Sequence, residues 1–407
     1  MKRLALLPAL FLLCANLAFS LDFGFLLDEK FELEDKLITS TTGLTPWFSW
    51  DGGNGISVYL SGLVSLRYIK SDDGIDDNDG LGKPVVLPEL SRFALSYRIN
   101  QNMSLEAGRV SYTDVLGVTA SGLFDGARFE ADMGAGSLKA GLFYTGLLYK
   151  ETAKILMTPS DTLNYGDPRN MENIVDEYFA SRRFFASARW DMPLGDANNF
   201  SFEALAQFDL NGEEDKLNSQ YGELQVELFT GSKVGFTAGA FFEAMEYKVM
   251  KEDEFGIAFG GLGVLRIDLP TPINDALKFS AKYSSGYMDS DTITAFIPMS
   301  AHAQGQIFPE IFSGLGIAKL NYEARIVQSL FAEATFSYFV QTNSIKDESG
   351  DSDKYLYGGE AWASLSWQPL DDIRVNLGGG IFLPSLGNIT PDADAAWKVS
   401  AGLSLSF

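Results

Sequence analysis

The sequence is poor in the residues that most often carry catalysis and metal binding. Its 407 residues include one cysteine, Cys14, and one histidine, His302. A single cysteine excludes an intramolecular disulfide and a thiolate cluster, and a single histidine excludes histidine-rich zinc sites. No serine motif typical of a nucleophile elbow accompanies His302. We therefore expect no enzyme activity, no metal site and no cofactor.

Long apolar runs are also missing beyond the N-terminal region, so no later segment reaches the roughly 20 apolar residues of a membrane-spanning helix. Residues 1–20 combine a positive start, an apolar middle and a small-x-small end at Ala18 and Ser20. This pattern predicts a secretory signal peptide. The alternative is a lipoprotein signal in which Cys14 is acylated, although the bulky Leu13 precedes that cysteine. Residues 21–407 are then expected to form one domain.

Basic residues are outnumbered along the chain. There are 31 Lys and Arg against 54 Asp and Glu, which gives a formal net charge of −23. A protein that binds phosphate backbones needs the opposite sign, so nucleic acid is excluded as a partner.

The sequence is rich in strict alternation of apolar and polar residues. In residues 397–407 every second residue is apolar, from Trp397 to Phe407, and residues 200–209 alternate in the same way. Only an extended strand sorts a period of two onto two faces. Such segments recur along residues 21–407, which predicts an all-β fold: a transmembrane antiparallel up-and-down β-barrel of about 18 strands (16 to 18).

The last segment ends on an aromatic residue. Trp397, Leu405 and Phe407 share its apolar face, and Phe407 is the final residue of the sequence. This arrangement resembles the C-terminal assembly signal of Gram-negative outer-membrane barrels. The resemblance implies a location in the outer membrane, with membrane lipid and the barrel assembly machinery as partners.

The connections between predicted strands alternate in length. Short turns are predicted on the periplasmic side, and longer loops on the external side, as is typical of such barrels. The predicted external connections are residues 36–43, 71–88, 113–125, 151–177, 211–220, 248–254, 288–310, 342–354 and 387–394.

Charged residues occur on the polar faces of the predicted strands. Because charges cannot face hydrocarbon without cost, we expect these side chains to line the lumen. Basic and acidic groups facing each other would form a transverse field that selects solutes. The alternative is a wall of salt bridges without a filter. The predicted pore-lining residues are Arg92, Arg98, Arg128, Arg183, Arg189, Glu203, Asp209, Glu223, Glu227 and Glu243.

Two predicted external segments, 113–125 and 288–310, are unusually apolar for surface loops. The first is the third external connection, which in general porins folds inward and constricts the pore. By that resemblance, the predicted constriction-loop residues are Asp114, Gly122, Phe124 and Asp125. The stretch Gly108, Arg109, Tyr112, Asp114, Gly117 and residues 122–126 is also similar to a motif region of alginate-export-type barrels, which are 18-stranded. The mixed charges of this sequence do not match that family's densely basic lumen.

These observations predict a porin-type channel for passive diffusion of small polar or charged solutes. One alternative is a surface adhesin or structural barrel with a closed lumen. Another is a transporter of hydrophobic substrates, and a barrel enzyme comes last. The sequence is consistent with a monomer and with a homotrimer, because lipid-facing and subunit-facing aliphatic residues look alike in sequence.

Overall fold

The structure is a computed structural model that describes residues 21–71, 82–165, 178–212, 215–231, 233–249, 252–286, 288–289, 292–345 and 354–407. The predicted signal peptide, with Cys14, lies outside the described residues. No helix in the described ranges is long and apolar enough to cross a bilayer.

A single 18-stranded antiparallel sheet makes up most of the chain. Its first nine strands are β1 (Leu21–Glu34), β2 (Leu37–Gly53), β3 (Ile56–Ser71), β4 (Val85–Asn100), β5 (Met103–Thr113), β6 (Ser121–Asp132), β7 (Ser137–Tyr144), β8 (Arg183–Leu194) and β9 (Asn198–Asp209). Its other nine are β10 (Lys216–Thr230), β11 (Val234–Val249), β12 (Glu252–Asp268), β13 (Ala276–Ser284), β16 (Leu315–Val327), β17 (Leu330–Ile345), β18 (Lys354–Leu370), β19 (Ile373–Leu383) and β20 (Ala396–Ser406).

Minor elements lie in the connections. A small hairpin, β14 (Met288–Asp289) and β15 (Thr292–Ile293), interrupts the connection from β13 to β16, and two short helices, α1 (Lys150–Ala153) and α2 (Pro159–Tyr165), lie between β7 and β8.

The sheet closes on itself through its first and last strands. β1 pairs with β2 from Leu21 opposite Trp50 to Glu34 opposite Leu37, and with β20 from Leu26 opposite Ser406 to Glu34 opposite Lys398. Each of the 18 strands therefore has two hydrogen-bonded neighbours, and the sheet has no open edge. The prediction of an antiparallel up-and-down barrel is confirmed.

Side-chain exposure separates the two surfaces of this barrel. In β9, Ser201, Glu203 and Gln207 are buried, whereas Phe202 and Phe208 are 42% and 43% exposed. Alternate residues of a strand point to opposite faces, so the polar set faces the interior and the aromatic set faces outward. An apolar outside with a polar inside is the arrangement of a membrane-spanning barrel.

The connections have very different lengths at the two ends of the barrel. At one end, the short-turn end, they range from residues 54–55 to residues 269–275. At the other, the long-connection end, the connections from β7 to β8 and from β13 to β16 cover residues 145–182 and 285–314. The longest connections therefore lie at one end, as predicted, although the two-residue turn at 35–36 lies at the same end.

Three predicted external loops are shorter than expected. Residues 37–43 belong to β2, which pairs with both β1 and β3, so only the turn at 35–36 remains. Residues 248–249 belong to β11 and residues 252–254 to β12, and residues 121–125 begin β6. In each case the strands pair through residues that lack the alternation of apolar and polar side chains, so the sequence pattern predicts a longer loop than the structure has.

Glycines of β19 make room for a large lumenal side chain of β18. A Cβ added at Gly378 would lie 2.6 Å from Cζ2 of Trp362, and one at Gly380 would lie 2.7 Å from Cε3 of the same indole. The added Cβ at Gly380 would also press on the carbonyl oxygen of Ala361. The indole thus occupies the space that a side chain on β19 would need.

We predict that Gly380→Ala destabilises the barrel, whereas Gly263→Ala does not, because a Cβ at Gly263 meets nothing within 4 Å. Overpacking of this kind costs about 1 to 3 kcal/mol. Urea unfolding of both variants in lipid vesicles, followed by tryptophan fluorescence, measures the difference. Equal stability of the two variants would contradict the proposed packing.

Candidate functional site: a lumen narrowed by three inward segments

Charged side chains form a continuous row around one part of the inner wall. Strand pairing places Glu130 opposite Lys139, Lys139 opposite Arg189, Arg189 opposite Glu203 and Glu203 opposite Glu223. Paired residues share a face of the sheet, so all five lie on the lumenal side. This row brings basic and acidic groups side by side along the wall, whereas the predicted transverse field needs them on opposite sides of the lumen.

The connection from β5 to β6, residues 114–120, folds into the lumen and is here named the first inner segment. The Asp114 carboxylate holds its turn by accepting hydrogen bonds from the backbone N–H groups of Val118, Thr119 and Ala120 at 2.7 to 3.1 Å. Gly117 adopts a φ of 64°, which favours glycine in this tight turn.

Two wall carboxylates hold the first inner segment. Glu203 accepts hydrogen bonds from the Tyr112 hydroxyl at 2.6 Å and from the Val115 N–H at 2.7 Å. Glu223 accepts from the Leu116 N–H at 3.2 Å and from the Thr119 hydroxyl at 2.5 Å. A backbone N–H inside a barrel has no strand partner, and a carboxylate supplies a strong acceptor for it.

The connection from β13 to β16, residues 285–314 and here named the second inner segment, is held in the same way. Glu243 accepts a hydrogen bond from the Ile297 N–H at 2.8 Å. Further along, Glu360 accepts from the N–H groups of Gln306, Ile307 and Phe308 at 2.9 to 3.0 Å. The ring of Phe308 then stacks on that of Phe339, with centroids 4.1 Å apart.

The third inner segment lies in the β7 to β8 connection, residues 145–182, and centres on a buried ion cluster. Arg183 is 0% exposed and forms ion pairs with Asp161 of α2 and Asp209 of β9. Its guanidinium also donates to the carbonyl oxygen of Leu217. Asn211 donates to Asp161 at 3.1 Å. Through Arg183, Asp209 and Leu217, the cluster joins α2 to the strands β8, β9 and β10.

Outside the strands, α2 receives a second acidic contact. Asp215, in the connection from β9 to β10, accepts hydrogen bonds from the backbone N–H and the hydroxyl of Ser160. Partial burial alone would raise the pKa of Asp215, but these hydrogen bonds outweigh it and hold the pKa below its ordinary value.

The three inner segments also contact one another. The Met299 N–H donates to the Thr119 carbonyl oxygen at 2.8 Å, and the Ala301 N–H donates to the Lys154 carbonyl oxygen at 2.9 Å. The Nε2 atom of His302 lies 3.0 Å from the carbonyl oxygen of Ser121. The segments therefore narrow the lumen as one connected unit.

Most of the predicted pore-lining acids serve as structural acceptors here. Glu203, Glu223 and Glu243 are buried beneath the inner segments, and Asp209 and Arg183 are buried in the ion cluster. Burial removes these five side chains from contact with lumenal water. The burial of these five side chains does not fit the predicted solvated charge filter.

The remaining predicted lumenal residues are more accessible. Arg92 and Arg128 both pair with Glu106, at 3.2 and 2.7 Å, and Arg189 pairs with Asp191 at 2.7 Å. Arg98 is exposed near the turn at 54–55, where its N–H donates to the Gly55 carbonyl oxygen. Glu227 is half-buried and lies opposite Asn199, close to the short-turn end.

Three of the four predicted constriction-loop residues belong to a strand. Gly122, Phe124 and Asp125 lie in β6, where Asp125 pairs with Arg109 at 2.8 Å and Phe124 packs in an aromatic cluster. Asp114 alone lies in the first inner segment. The loop is shorter than predicted because β6 pairs with β5 up to Ser121 opposite Thr113.

Sequence reasoning missed several residues that shape the lumen. The prediction of pore-lining residues omits four charged residues on the polar faces of their strands: Glu106, Glu360, Lys282 and Lys319. Alternation alone would have placed them inside, but it could not have shown which carboxylates meet loop N–H groups.

The open spaces in the described part of the lumen include two that adjoin the barrel wall. One, of about 180 Å³, is bordered by Arg128, Glu130, Lys139 and Arg189 beside the first inner segment. The other, of about 620 Å³, lies near the short-turn end and is bordered by Glu323, Arg325, Phe331, Glu333, Ser364 and Ser366. The larger space has the volume of a typical small-molecule pocket.

Comparison with known proteins relates this architecture to outer-membrane barrels. No family model and no curated protein matches the chain. Among solved structures, Pseudomonas aeruginosa OpdK with vanillate is similar at 12% identity with a TM-score of 0.62, over 95% of this chain and 98% of that one. OccK5 (OpdH) of the same organism is 9% identical with a TM-score of 0.59, over 95% of this chain and 98% of that one. OpdQ is 10% identical with a TM-score of 0.61, over 95% of this chain and 99% of that one. The likeness confirms the predicted outer-membrane porin type of fold.

We predict that Arg183→Met sharply destabilises the protein, because it leaves Asp161 and Asp209 buried without a cation. Loss of one partner from a buried ion pair typically costs about 3 to 5 kcal/mol. Arg98→Met, at an exposed position, is the matched control. Urea unfolding in lipid vesicles measures the free energy of unfolding of both variants. A loss of stability for Arg183→Met that is no larger than the loss for Arg98→Met would contradict the structural role of the ion cluster.

Proposed function

We propose that the protein is an outer-membrane channel through which small polar or charged solutes diffuse passively. The observation that carries this proposal is the closed barrel with an apolar outside and a charged inner wall, narrowed by inward segments that contact one another. The likeness to OpdK, which is described as an outer-membrane protein, supports the location. Passage then depends on size and charge at the narrowing and requires no chemical step.

We further propose that the preferred solutes are small organic anions. Many basic groups of the inner wall are neutralised by ion pairs, as Arg128 is by Glu106. Lys282 of β13 and Lys319 of β16 face the lumen, and among the described residues neither has a carboxylate within ion-pair distance. OpdK was solved with vanillate, a small carboxylate, which supports the same class of solute.

The position of Lys282 supports a role at the narrowing. Pairing places Gly239 opposite Leu262, and Leu262 opposite Lys282. Leu116 of the first inner segment packs against Gly239, where an added Cβ would lie 3.4 Å from Leu116 Cδ1. Lys282 therefore lies on the same lumenal face, two strands from the contact with Leu116, and its ammonium group lies 5.8 Å from the ring centroid of Phe312 in the second inner segment.

We predict that Lys282→Glu shifts ion preference from anions towards cations, because it reverses the charge at the narrowing. Lys233→Glu makes the same charge change at an exposed turn and should leave preference unchanged. Reversal potentials of single channels in a KCl gradient measure both. Equal reversal potentials for Lys282→Glu and the unmodified protein would contradict the anion path.

A barrel with a closed lumen is the second candidate, and one observation favours it. The inner segments bury apolar side chains inside the barrel, including Phe296 and Phe312, which pack with Phe241 of the wall. Such a core could seal the lumen completely and leave the external surface to bind partners.

Planar bilayers separate the two candidates. The open channel predicts discrete current steps from the purified protein, whereas a closed barrel predicts silence. We expect Glu360→Ala to enlarge the current, because three N–H groups of the second inner segment lose their acceptor. Glu333→Ala is the control, since Glu333 accepts a hydrogen bond from Asn321 of the wall. Silence of the unmodified protein together with current from Glu360→Ala would favour the closed barrel.

A further inference from the structure

An aromatic ring on the lumenal wall near the short-turn end is exposed. Phe331 and Phe339 are eight residues apart on β17, so they face the same, lumenal side. The ring of Phe339 is 0% exposed because Phe308 of the second inner segment stacks on it, whereas Phe331 is 45% exposed. Covering a phenyl ring is favourable in water, so an uncovered ring inside a barrel is available to a ligand.

Arg325 holds the Phe331 ring from one side. The two residues are direct partners on β16 and β17, and the guanidinium carbon of Arg325 lies 5.1 Å from the ring centroid. The Nε and Nη2 atoms of Arg325 donate to the carbonyl oxygen of Gln328 at 3.3 and 3.0 Å. A cation over an aromatic ring is attracted to it, which fixes the ring beside the open space of about 620 Å³.

Uncharged polar side chains border the same space: those of Asn274, Ser364 and Ser366. Ser366 lies directly opposite Phe331, and Ser364 is the next lumenal residue of β18. Within the described residues, these three side chains have no hydrogen-bond partner in the protein. They can therefore donate hydrogen bonds to a bound solute and accept hydrogen bonds from it.

The charged groups around the space are already engaged by the protein. Glu323 forms an ion pair with Lys278 at 2.5 Å, and Glu333 accepts a hydrogen bond from the Asn321 amide at 2.5 Å. The guanidinium of Arg325 is held as described above. Because carboxylates and a guanidinium both border the space, a charged solute of either sign would meet a group of its own sign. The space therefore favours an uncharged solute.

We propose that this space, here named the Phe331 site, binds neutral cyclic saccharides. The ring of such a sugar has a face of C–H groups, which can stack on a phenyl ring, and an edge of hydroxyl groups that donate and accept hydrogen bonds. Phe331 supplies the platform, and Ser364 and Ser366 supply the hydroxyl partners on the adjoining strand. The volume of about 620 Å³ is in the range of small-molecule sites.

The inference goes beyond the preference for anions proposed above. It rests on the proposed channel only for the passage of the sugar, because binding requires access to the Phe331 site from one end of the lumen alone. A measurement of binding that does not depend on current therefore tests the site separately from the channel.

Saturation-transfer NMR on the purified protein, in micelles of a detergent without a sugar headgroup, makes this measurement. Maltose is the probe, and sorbitol is its control because it is an open-chain polyol without a ring face. We expect saturation to reach the ring C–H protons of maltose and to be several-fold weaker for sorbitol. Equal transfer to both, or no transfer to maltose, would overturn the inference. Transfer to benzoate alone would assign the site to aromatic carboxylates and overturn it as well.

Variants locate the binding at the Phe331 site. Phe331→Leu should lower the maltose signal several-fold, whereas Phe331→Tyr, which keeps an aromatic face, should retain most of it. Phe229→Leu is the matched control, because Phe229 lies opposite Gly235 on the lumenal face and is 49% exposed, but does not border the space. An unchanged signal from Phe331→Leu, or an equal loss from Phe229→Leu, would overturn the assignment.

A second variant covers the case in which Phe331→Leu fails to fold, which heat-dependent migration on gels detects. Ser364→Ala combined with Ser366→Ala leaves the ring in place and should also lower the maltose signal several-fold. An unchanged signal from this folded variant would overturn the role of the hydroxyl groups. Maltose binding by a barrel that carries no current would contradict the proposed channel and support the Phe331 site, whereas current without maltose binding would do the reverse.

Discussion

Backbone hydrogen bonding between β1 and β20 is the interaction on which the rest of the structure depends. Without it the sheet would end in two open edges, and hydrocarbon could not satisfy the exposed N–H and carbonyl groups. With it, every strand has two neighbours and the alternation of side chains becomes a division between outside and lumen. Polar side chains can then be concentrated inside without contact with lipid.

The same requirement governs the lumen, where the inner segments have backbone N–H groups but no strand to pair with. Four carboxylates of the barrel wall accept hydrogen bonds from these N–H groups: those of Glu203, Glu223, Glu243 and Glu360. Their carboxylates are engaged in holding loops and are mostly buried. Much of the acidic charge of the wall therefore stabilises the narrowing and contributes less to the field that a solute meets.

The fold could be predicted because a period of two survives wherever lipid and water face opposite sides of a strand. The prediction of an external loop at 36–43 was wrong. Ser40 and Thr42 of β2 interrupt the apolar pattern there, because their hydroxyl groups donate hydrogen bonds to Glu29 of β1. The lumenal side of the site could be predicted by the same alternation. The roles of the individual lumenal residues could not be predicted from the sequence. The hydrogen bond between Glu223 and Leu116, for example, joins residues that are far apart in sequence.

The net charge of −23 does not decide which solutes the lumen favours. A solute inside a narrow pore responds to the groups within about 10 Å, because salt screens more distant charges. At the narrowing, acids such as Glu203 and Glu223 are covered by the first inner segment, whereas Lys282 has no carboxylate within ion-pair distance among the described residues. Covered acids therefore contribute less than uncovered groups to the field at the narrowing, so the net charge alone does not predict solute preference.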